Sequence, residues 1–370
     1  MNKKLRIAII GSRGYPYVYS GYETLVKELS ERLIKNGHYV RVYCHRSLFN
    51  KKPKIVNGIE LIYAPSVNSK IFSQLYNSFF SFIHVCFSNV DVILVVNSAN
   101  GPFGILTKLF RKKTCINVDG LEWMRPKWNG LGSIYFKFSS RLVALFYNKI
   151  ITDSIEMNKI FKNKFKRDST IIAYGPTMLK TQKKTILNKF NIKENEYYLI
   201  VGRLIPDNNS KIILEGFLKS NSNKKFVIVG DVPYKDSYSK QLKKLGSDSI
   251  IFTGYIKCQN ELTQLYKYSY AYVHGHEFGG TNPTMINALY LNCKIIALET
   301  IFNLEMLENN NTIFFKKNIQ SIKNAFENFE INHTKIISKN KYYSLPEKYS
   351  WDFITIKYLN VFISLIKFRN

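Results

Sequence analysis

Asp119, Gly120, Leu121, Glu122, Trp123, Met124, Arg125, Pro126, Lys127 and Trp128 bring two carboxylates, two cations and two of the chain's three tryptophans into one short segment. An indole face packs on the apolar face of a sugar ring while carboxylates accept hydroxyl protons, so this composition suits carbohydrate recognition, with Trp123 as the stacking residue. Asp119 directly follows the apolar run Thr114 to Val118, where it could serve as general base toward a hydroxyl. Glu122 shares that role of orienting an acceptor or handling its proton. The alternative is a structural loop with Trp128 simply buried.

A second segment runs His274, Gly275, His276, Glu277, Phe278, Gly279, Gly280, Thr281, Asn282, Pro283, Thr284. Pro283 suits a first helical turn and Asn282 its cap. The amides of Gly280, Thr281 and Asn282, just beyond Gly279, are then expected to point outward at a positive helix end, a phosphate cradle that needs no metal. Asn287, one turn further on, is expected to face the same place and bond a ribose hydroxyl. His274 and His276 alternate along a strand, but without a matching acidic ligand they read as satisfied histidines rather than a metal site. Arg203 follows Val201 and Gly202 at the end of another apolar run. A guanidinium there can clamp a diphosphate and hold the charge that grows on a departing nucleotide; judged alone, it is only a surface arginine. Asp207, Asn208 and Asn209 supply a polar turn and cap.

The opening loop, Gly11 through Thr24, is glycine-rich, yet it lacks both the G-x-G-x-x-G spacing and G-K-[ST]. Gly21 near a helix start leaves amide hydrogens for an anion, and Arg13 adds a cation. A long turn that needs glycine for its geometry is the competing reading.

These loops require strands and helices to carry them. Leu5 to Ile10, Val40 to Cys44, Val92 to Val96, Thr114 to Val118 and Lys149 to Thr152 read as buried strands, with helices at Thr24 to Lys35, Ile71 to Phe87 and Tyr135 to Tyr147. Past Asp153 the pattern restarts. Strands are expected at Thr170 to Ala173, Tyr198 to Val201, Phe226 to Gly230, Ile250 to Thr253, Ala271 to His274 and Lys294 to Ala297. Helices alternate with them at Lys211 to Leu218, Tyr238 to Leu245, Glu261 to Tyr268 and Thr284 to Leu291. The expected fold is α/β, two tandem Rossmann-like domains facing across a cleft walled by strand-to-helix loops: residues 1–178, residues 179–345, and a last helix in 346–370 that crosses back to the first domain.

Composition narrows the partners. A formal net charge of +28 over 370 residues points to an anionic partner. Compositional drift toward lysine explains much of it, but not the mixture of cations and aromatics in Lys70 to Phe87 and Tyr135 to Tyr147, which could be interfacial. Ile71 to Val96 is too interrupted by polar residues to span a bilayer. The amino terminus has no signal-peptide run, so a cytoplasmic protein is expected. Five scattered cysteines fit reduced thiols rather than a disulfide or zinc framework. No nucleic-acid module or concentrated basic helix is evident, so nucleic acid is not the expected partner.

On these residues the chain resembles the GT-B glycosyltransferases of family four, in the branch that includes bacterial rhamnosyltransferases of polysaccharide assembly. The resemblance is carried by Tyr22-Glu23-Thr24, Asn117 through Trp123, Thr152-Asp153-Ser154, Gly202-Arg203-Leu204, and His274-Gly275-His276 through Gly279-Gly280-Thr281-Asn282-Pro283. It implies a metal-independent transfer with retention from a nucleoside-diphosphate sugar, with no further cofactor. The carboxyl domain would hold the donor through Arg203, Glu277, Gly279 to Asn282 and Asn287, helped by Gly21. The amino domain would hold the acceptor through Arg13, Tyr22, Glu23 and Trp123. Three positions depart from the family's pattern: Asn287 stands in place of a glutamate, Asn208 of a lysine, and Ser20 of the first of two paired glycines.

The branch implies L-rhamnose from a thymidine donor. A lipid-linked saccharide acceptor at the anionic inner face of a bacterial membrane would account for the basic and aromatic surface. Rival readings on the same architecture are a nucleotide-sugar epimerase, which needs no acceptor, a phosphorylase, which consumes phosphate, and an inactive partner subunit.

Overall fold

The computed structural model describes residues 4–16, 21–67, 72–125, 128, 130–179, 181, 183–232, 236–308, 311–340 and 345–367. The chain divides into two compact units, one of Met1–Tyr174 with Glu347–Asn370 and one of Gly175–Pro346.

The first unit runs β1 (Arg6–Ile10), α1 (Gly21–Lys35), β2 (Tyr39–His45), β3 (Ile55–Val56), β4 (Ile59–Ala64), α2 (Phe72–Cys86), β5 (Val92–Val96), α3 (Gly104–Leu109), β6 (Thr114–Val118), α4 (Leu131–Phe146), β7 (Lys149–Thr152), α5 (Ile155–Phe165) and β8 (Thr170–Ile171). Its eight strands form one sheet in the order β3-β4-β2-β1-β5-β6-β7-β8. Every pairing is parallel except β3 with β4. That one hairpin closes through Asn57 and Gly58, both at positive φ (50° and 78°), the geometry of a two-residue turn that matches strand twist. β5 and β6 are buried at every position, because helices cover both faces of a parallel sheet.

The second unit runs α6 (Thr185–Lys189), β9 (Tyr197–Val201), α7 (Ser210–Leu218), β10 (Lys225–Val229), α8 (Ser237–Lys243), β11 (Ile250–Gly254), α9 (Gln259–Lys267), β12 (Ala271–His274), α10 (Pro283–Tyr290), β13 (Ile295–Leu298), α11 (Ile301–Leu307), β14 (Ile313–Phe315) and α12 (Ile319–Asn340). Its six strands are parallel throughout, in the order β11-β10-β9-β12-β13-β14. The core on one side is aromatic: Tyr198 meets Phe326 at 4.8 Å and Tyr270 at 5.5 Å between ring centroids. The Tyr198 hydroxyl donates to Glu330 at 2.7 Å, so that polar atom is satisfied. The last helix, α13 (Trp351–Lys367), belongs to the first unit, where Tyr358 and Phe362 are buried.

Strand order reverses between β1 and β5 in the first unit and between β9 and β12 in the second. At such a reversal the loops leaving the carboxyl ends of the two strands diverge to opposite faces and open a crevice, where open α/β sheets bind ligands.

Candidate functional site

In the first unit Asp119 sits one residue past the end of β6, half-buried. Tyr174 donates its hydroxyl to Oδ2 of Asp119 at 2.9 Å, and the hydroxyl of Tyr22, in the first turn of α1, accepts the Asp119 amide at 3.2 Å. Behind them lies Asn117, fully buried on β6, whose Oδ1 accepts from Tyr174 at 3.3 Å and whose Nδ2 donates to Tyr358 of α13 at 2.8 Å. Burial lifts the Asp119 carboxyl above the usual carboxylate range, against the hydrogen bonds of Tyr22 and Tyr174 and the charge of Arg125. A carboxylate with a raised pKa, oriented by two tyrosines, is equipped to take a proton from a hydroxyl. Sequence reasoning missed Tyr174, Asn117 and Tyr358 as partners; only their proximity in space reveals them.

The rest of this loop differs from expectation. Glu122 uses Oε1 to pair with Arg125 at 3.1 Å and Oε2 to accept the indole N–H of Trp128 at 2.5 Å. Its carboxylate therefore holds the loop together instead of standing open to an acceptor. Trp123 is 8% exposed, meets Phe161 and Phe165 edge to face at 6.3 and 5.7 Å, and has the Lys164 ammonium 5.0 Å from its ring. Enclosed by α5, the indole presents no open face on which a sugar could stack. Pro126 and Lys127 lie outside the described residues.

Gly11, at φ +101°, closes β1; a Cβ there would stand 2.2 Å from the carbonyl oxygen of Val96, so only glycine lets the β1 and β5 loops approach this closely. Glu23, 2% exposed, accepts the Arg13 amide at 2.9 Å and lies 3.9 Å from the Arg13 guanidinium. Glu23 thus fastens the loop, while Arg13 keeps a partly exposed side chain. Gly21 is the first residue of α1; Ser20 and the tyrosines at 17 and 19 lie outside the described residues. His45, which ends β2, donates its amide to the Arg13 carbonyl at 3.0 Å. Its Nδ1 meets Ser73 at 3.2 Å and its buried Nε2 has no partner among the described residues. Burial pushes its pKa down to about 4, with Arg13 acting in the same direction.

In the second unit the loops after β9 and β12 flank the strand reversal and are bonded to each other. Asn208 donates to the Arg203 carbonyl at 2.7 Å and its Oδ1 pairs with Nδ1 of His276 at 2.9 Å. Asn209, in the left-handed region at φ +55°, donates to the Gly275 carbonyl at 2.9 Å and to Glu277 at 3.3 Å. Glu277 also accepts from Lys317 at 2.6 Å. The Arg203 backbone is therefore locked to the segment carrying Glu277 through Asn282, while its side chain is exposed. Asn208 occupies the position where the resembled family has a lysine and acts as the bridge between the two loops.

Gly279 takes φ +115°, a conformation that strains any other residue. Asn282 caps α10: its Oδ1 accepts from the Thr284 amide at 3.0 Å and from the Thr284 hydroxyl at 2.7 Å. Because that oxygen only accepts, the whole chain of donors behind it has one direction. Thr284 accepts from Tyr272 at 2.8 Å, so the Tyr272 hydroxyl takes the proton of His274 Nδ1 at 2.9 Å. His274 is thereby the Nδ1–H tautomer, and burial pushes its pKa down to about 3.

Two expectations for this segment change. The Asn282 amide is directed at the Met306 sulfur at 3.5 Å, so it is not an outward donor beside Gly280 and Thr281, which are themselves buried. Asn287, 5% exposed, spends its amide on Thr177: Oδ1 accepts from the Thr177 amide at 2.9 Å and Nδ2 donates to the Thr177 hydroxyl at 3.3 Å. Gln259 holds the same threonine through its carbonyl at 3.1 Å. Asn287 therefore anchors the entry segment of the second unit rather than facing a ribose. Among the described residues no group of three or more His, Cys, Asp or Glu is placed to hold a metal ion.

Residues 182–343 match the family described as Glycosyl transferases group 1, and residues 82–177 match a domain of unknown function (DUF1972). No curated protein matches the chain by sequence. Among solved structures, sucrose-phosphate synthase from Thermosynechococcus elongatus is similar at 14% identity and TM-score 0.80, over 98% of this chain and 100% of that one. Anabaena Alr3699/HepE in complex with UDP-glucose is similar at 13% identity and TM-score 0.75, over 97% and 100%. WaaG, a glycosyltransferase involved in lipopolysaccharide biosynthesis, is similar at 12% identity and TM-score 0.71, over 96% and 99%. The group 1 match covers residues 182–343, and the chain has the α/β fold of GT-B glycosyltransferases.

Proposed function

We propose that the protein transfers a hexosyl or deoxyhexosyl group from a nucleoside-diphosphate sugar to a lipid-linked saccharide, with retention of configuration and without a metal. The reading assigns the donor to the second unit and the acceptor to the first. Its main support is the pair of loops after β9 and β12, which the Asn208–His276 bond ties together at the strand reversal of a unit that matches the group 1 family. Arg203, with its exposed guanidinium, is the group suited to a diphosphate. The acceptor hydroxyl attacks the anomeric carbon from the side the diphosphate leaves. Its oxygen forms the new bond as the carbon–oxygen bond to the diphosphate breaks, and its proton passes to the leaving diphosphate or to Asp119. L-rhamnose from a thymidine donor is the proposed substrate, for a bacterial surface polysaccharide built at the inner face of the membrane.

Calorimetry of the purified protein against nucleoside diphosphates and their sugars tests donor choice. Arg203→Ala should lower turnover by about 10² if the guanidinium stabilises the departing charge. Unchanged turnover, or conversion of donor without acceptor, would remove the proposal.

A further inference from the structure

The solvent faces of α2, α3 and α4 in the first unit are apolar and basic together. On α4 the exposed residues are Leu131, Ile134, Lys137, Phe138, Arg141 and Leu145, advancing three or four positions at a time along one stripe. An exposed helix face ordinarily carries neutral polar and acidic residues, yet Leu131 is 84% exposed and none of these three helices contains Asp or Glu. α2 adds exposed Tyr76, Phe79 and Ile83, and α3 adds Ile105 and Leu109. The helices adjoin. Phe87, just past α2, meets Phe110, just past α3, at 5.0 Å. Lys108 of α3 donates to the Leu145 carbonyl of α4 at 3.3 Å and lies 5.7 Å from the Phe146 ring. Exposed Arg111 extends the cationic rim.

We propose that this face docks on an anionic lipid surface, with the aliphatic and aromatic side chains inserted among acyl chains and the lysines and arginines at the headgroups. The proposal deepens the reading of the acceptor as lipid-linked, since it names the surface by which the first unit would reach one. Charge selects the occupant. A second copy meeting the same face would set Lys137 and Arg141 against their own equivalents. A nucleic acid would neutralise the cations but leave Leu131, Ile134 and Leu145 in water. No helix among the described residues is long and apolar enough to cross a membrane, so contact would be peripheral.

Co-sedimentation with phosphatidylcholine vesicles, and with vesicles containing roughly one-third phosphatidylglycerol, reads the interaction directly. Binding is expected to the anionic vesicles only, weakening as salt rises. Ile134→Glu/Phe138→Glu should reduce it about tenfold or more. Both positions are exposed, so the variant's melting curve and its affinity for nucleoside diphosphates should match the native protein's. The proposal is overturned if the native protein leaves anionic vesicles in the supernatant, if the variant binds them as well as the native chain, or if the native protein is a dimer that the variant converts to monomer. Vesicle binding without nucleoside-diphosphate binding would keep this surface and remove the glycosyl-transfer reading alone.

Discussion

Asp119 combines half-burial, two tyrosine partners and a position at the end of a central strand, and the combination has a thermodynamic consequence. Its folded pKa is raised by burial, so the folded protein holds this proton more tightly than the unfolded chain does. The associated stability is complete below the unfolded carboxylate pKa of about 3.9 and is lost as pH rises through the folded value. Above its folded pKa the ionised side chain therefore costs stability. Asp119→Asn keeps an oxygen for the Tyr174 hydroxyl and has nothing to ionise. It should melt about 2 °C or more above the native protein at pH 7, an advantage that fades toward pH 4, while transfer falls about 10²-fold if the carboxylate takes the acceptor's proton. Melting curves at the two pH values, beside a transfer assay, separate this from a structural role: a lower melting temperature at pH 7 would show that the carboxylate is there to hold the loop. Glu122 and Glu23 contrast with it, since their oxygens are committed to Arg125, Trp128 and Arg13.

α13 supports β6 from behind, where its Tyr358 hydroxyl accepts from Nδ2 of Asn117. Tyr358→Phe would leave Nδ2 of Asn117 buried without its acceptor, at a cost of about 1–3 kcal/mol in urea unfolding. Nucleoside-diphosphate affinity should be unchanged, because the donor is assigned to the second unit. The elements themselves were largely legible: Val92–Val96, Thr114–Val118, Lys149–Thr152 and Ala271–His274 coincide with apolar runs residue for residue. A strand buried on both faces has no solvent side to dilute its run of β-branched and apolar residues. The β3–β4 hairpin escaped notice because β3 has only two residues, and α6 because it lies in a lysine-rich polar stretch. Loops were legible where local geometry alone chooses the residue, as at the Asn282 cap of α10. Side-chain partners were not: the contact that occupies Asn287 is 110 residues away, and Trp123 is enclosed by a helix that no local pattern ties to its loop.

Burial lowers the pKa of His45 in the first unit to about 4 and of His274 in the second to about 3, and moves His38 and His84 in the same direction. An unfolded histidine titrates near 6.5, so between that value and the folded ones the unfolded chain binds the extra protons. Stability from His45 and His274 is complete above about pH 6.5 and drains away as pH falls toward 4. The urea midpoint should accordingly fall steadily from pH 6.5 to pH 4. His274→Asn offers a test insensitive to packing, because the loss of imidazole contacts shifts stability at every pH whereas the missing titration changes its slope. The amide can still donate to Tyr272, and near pH 5 the variant should take up about one proton fewer on unfolding. An unaltered slope would mean that His274 already carries its charge in the folded protein, with Nδ1–H still donating to Tyr272 and a second proton on the buried Nε2.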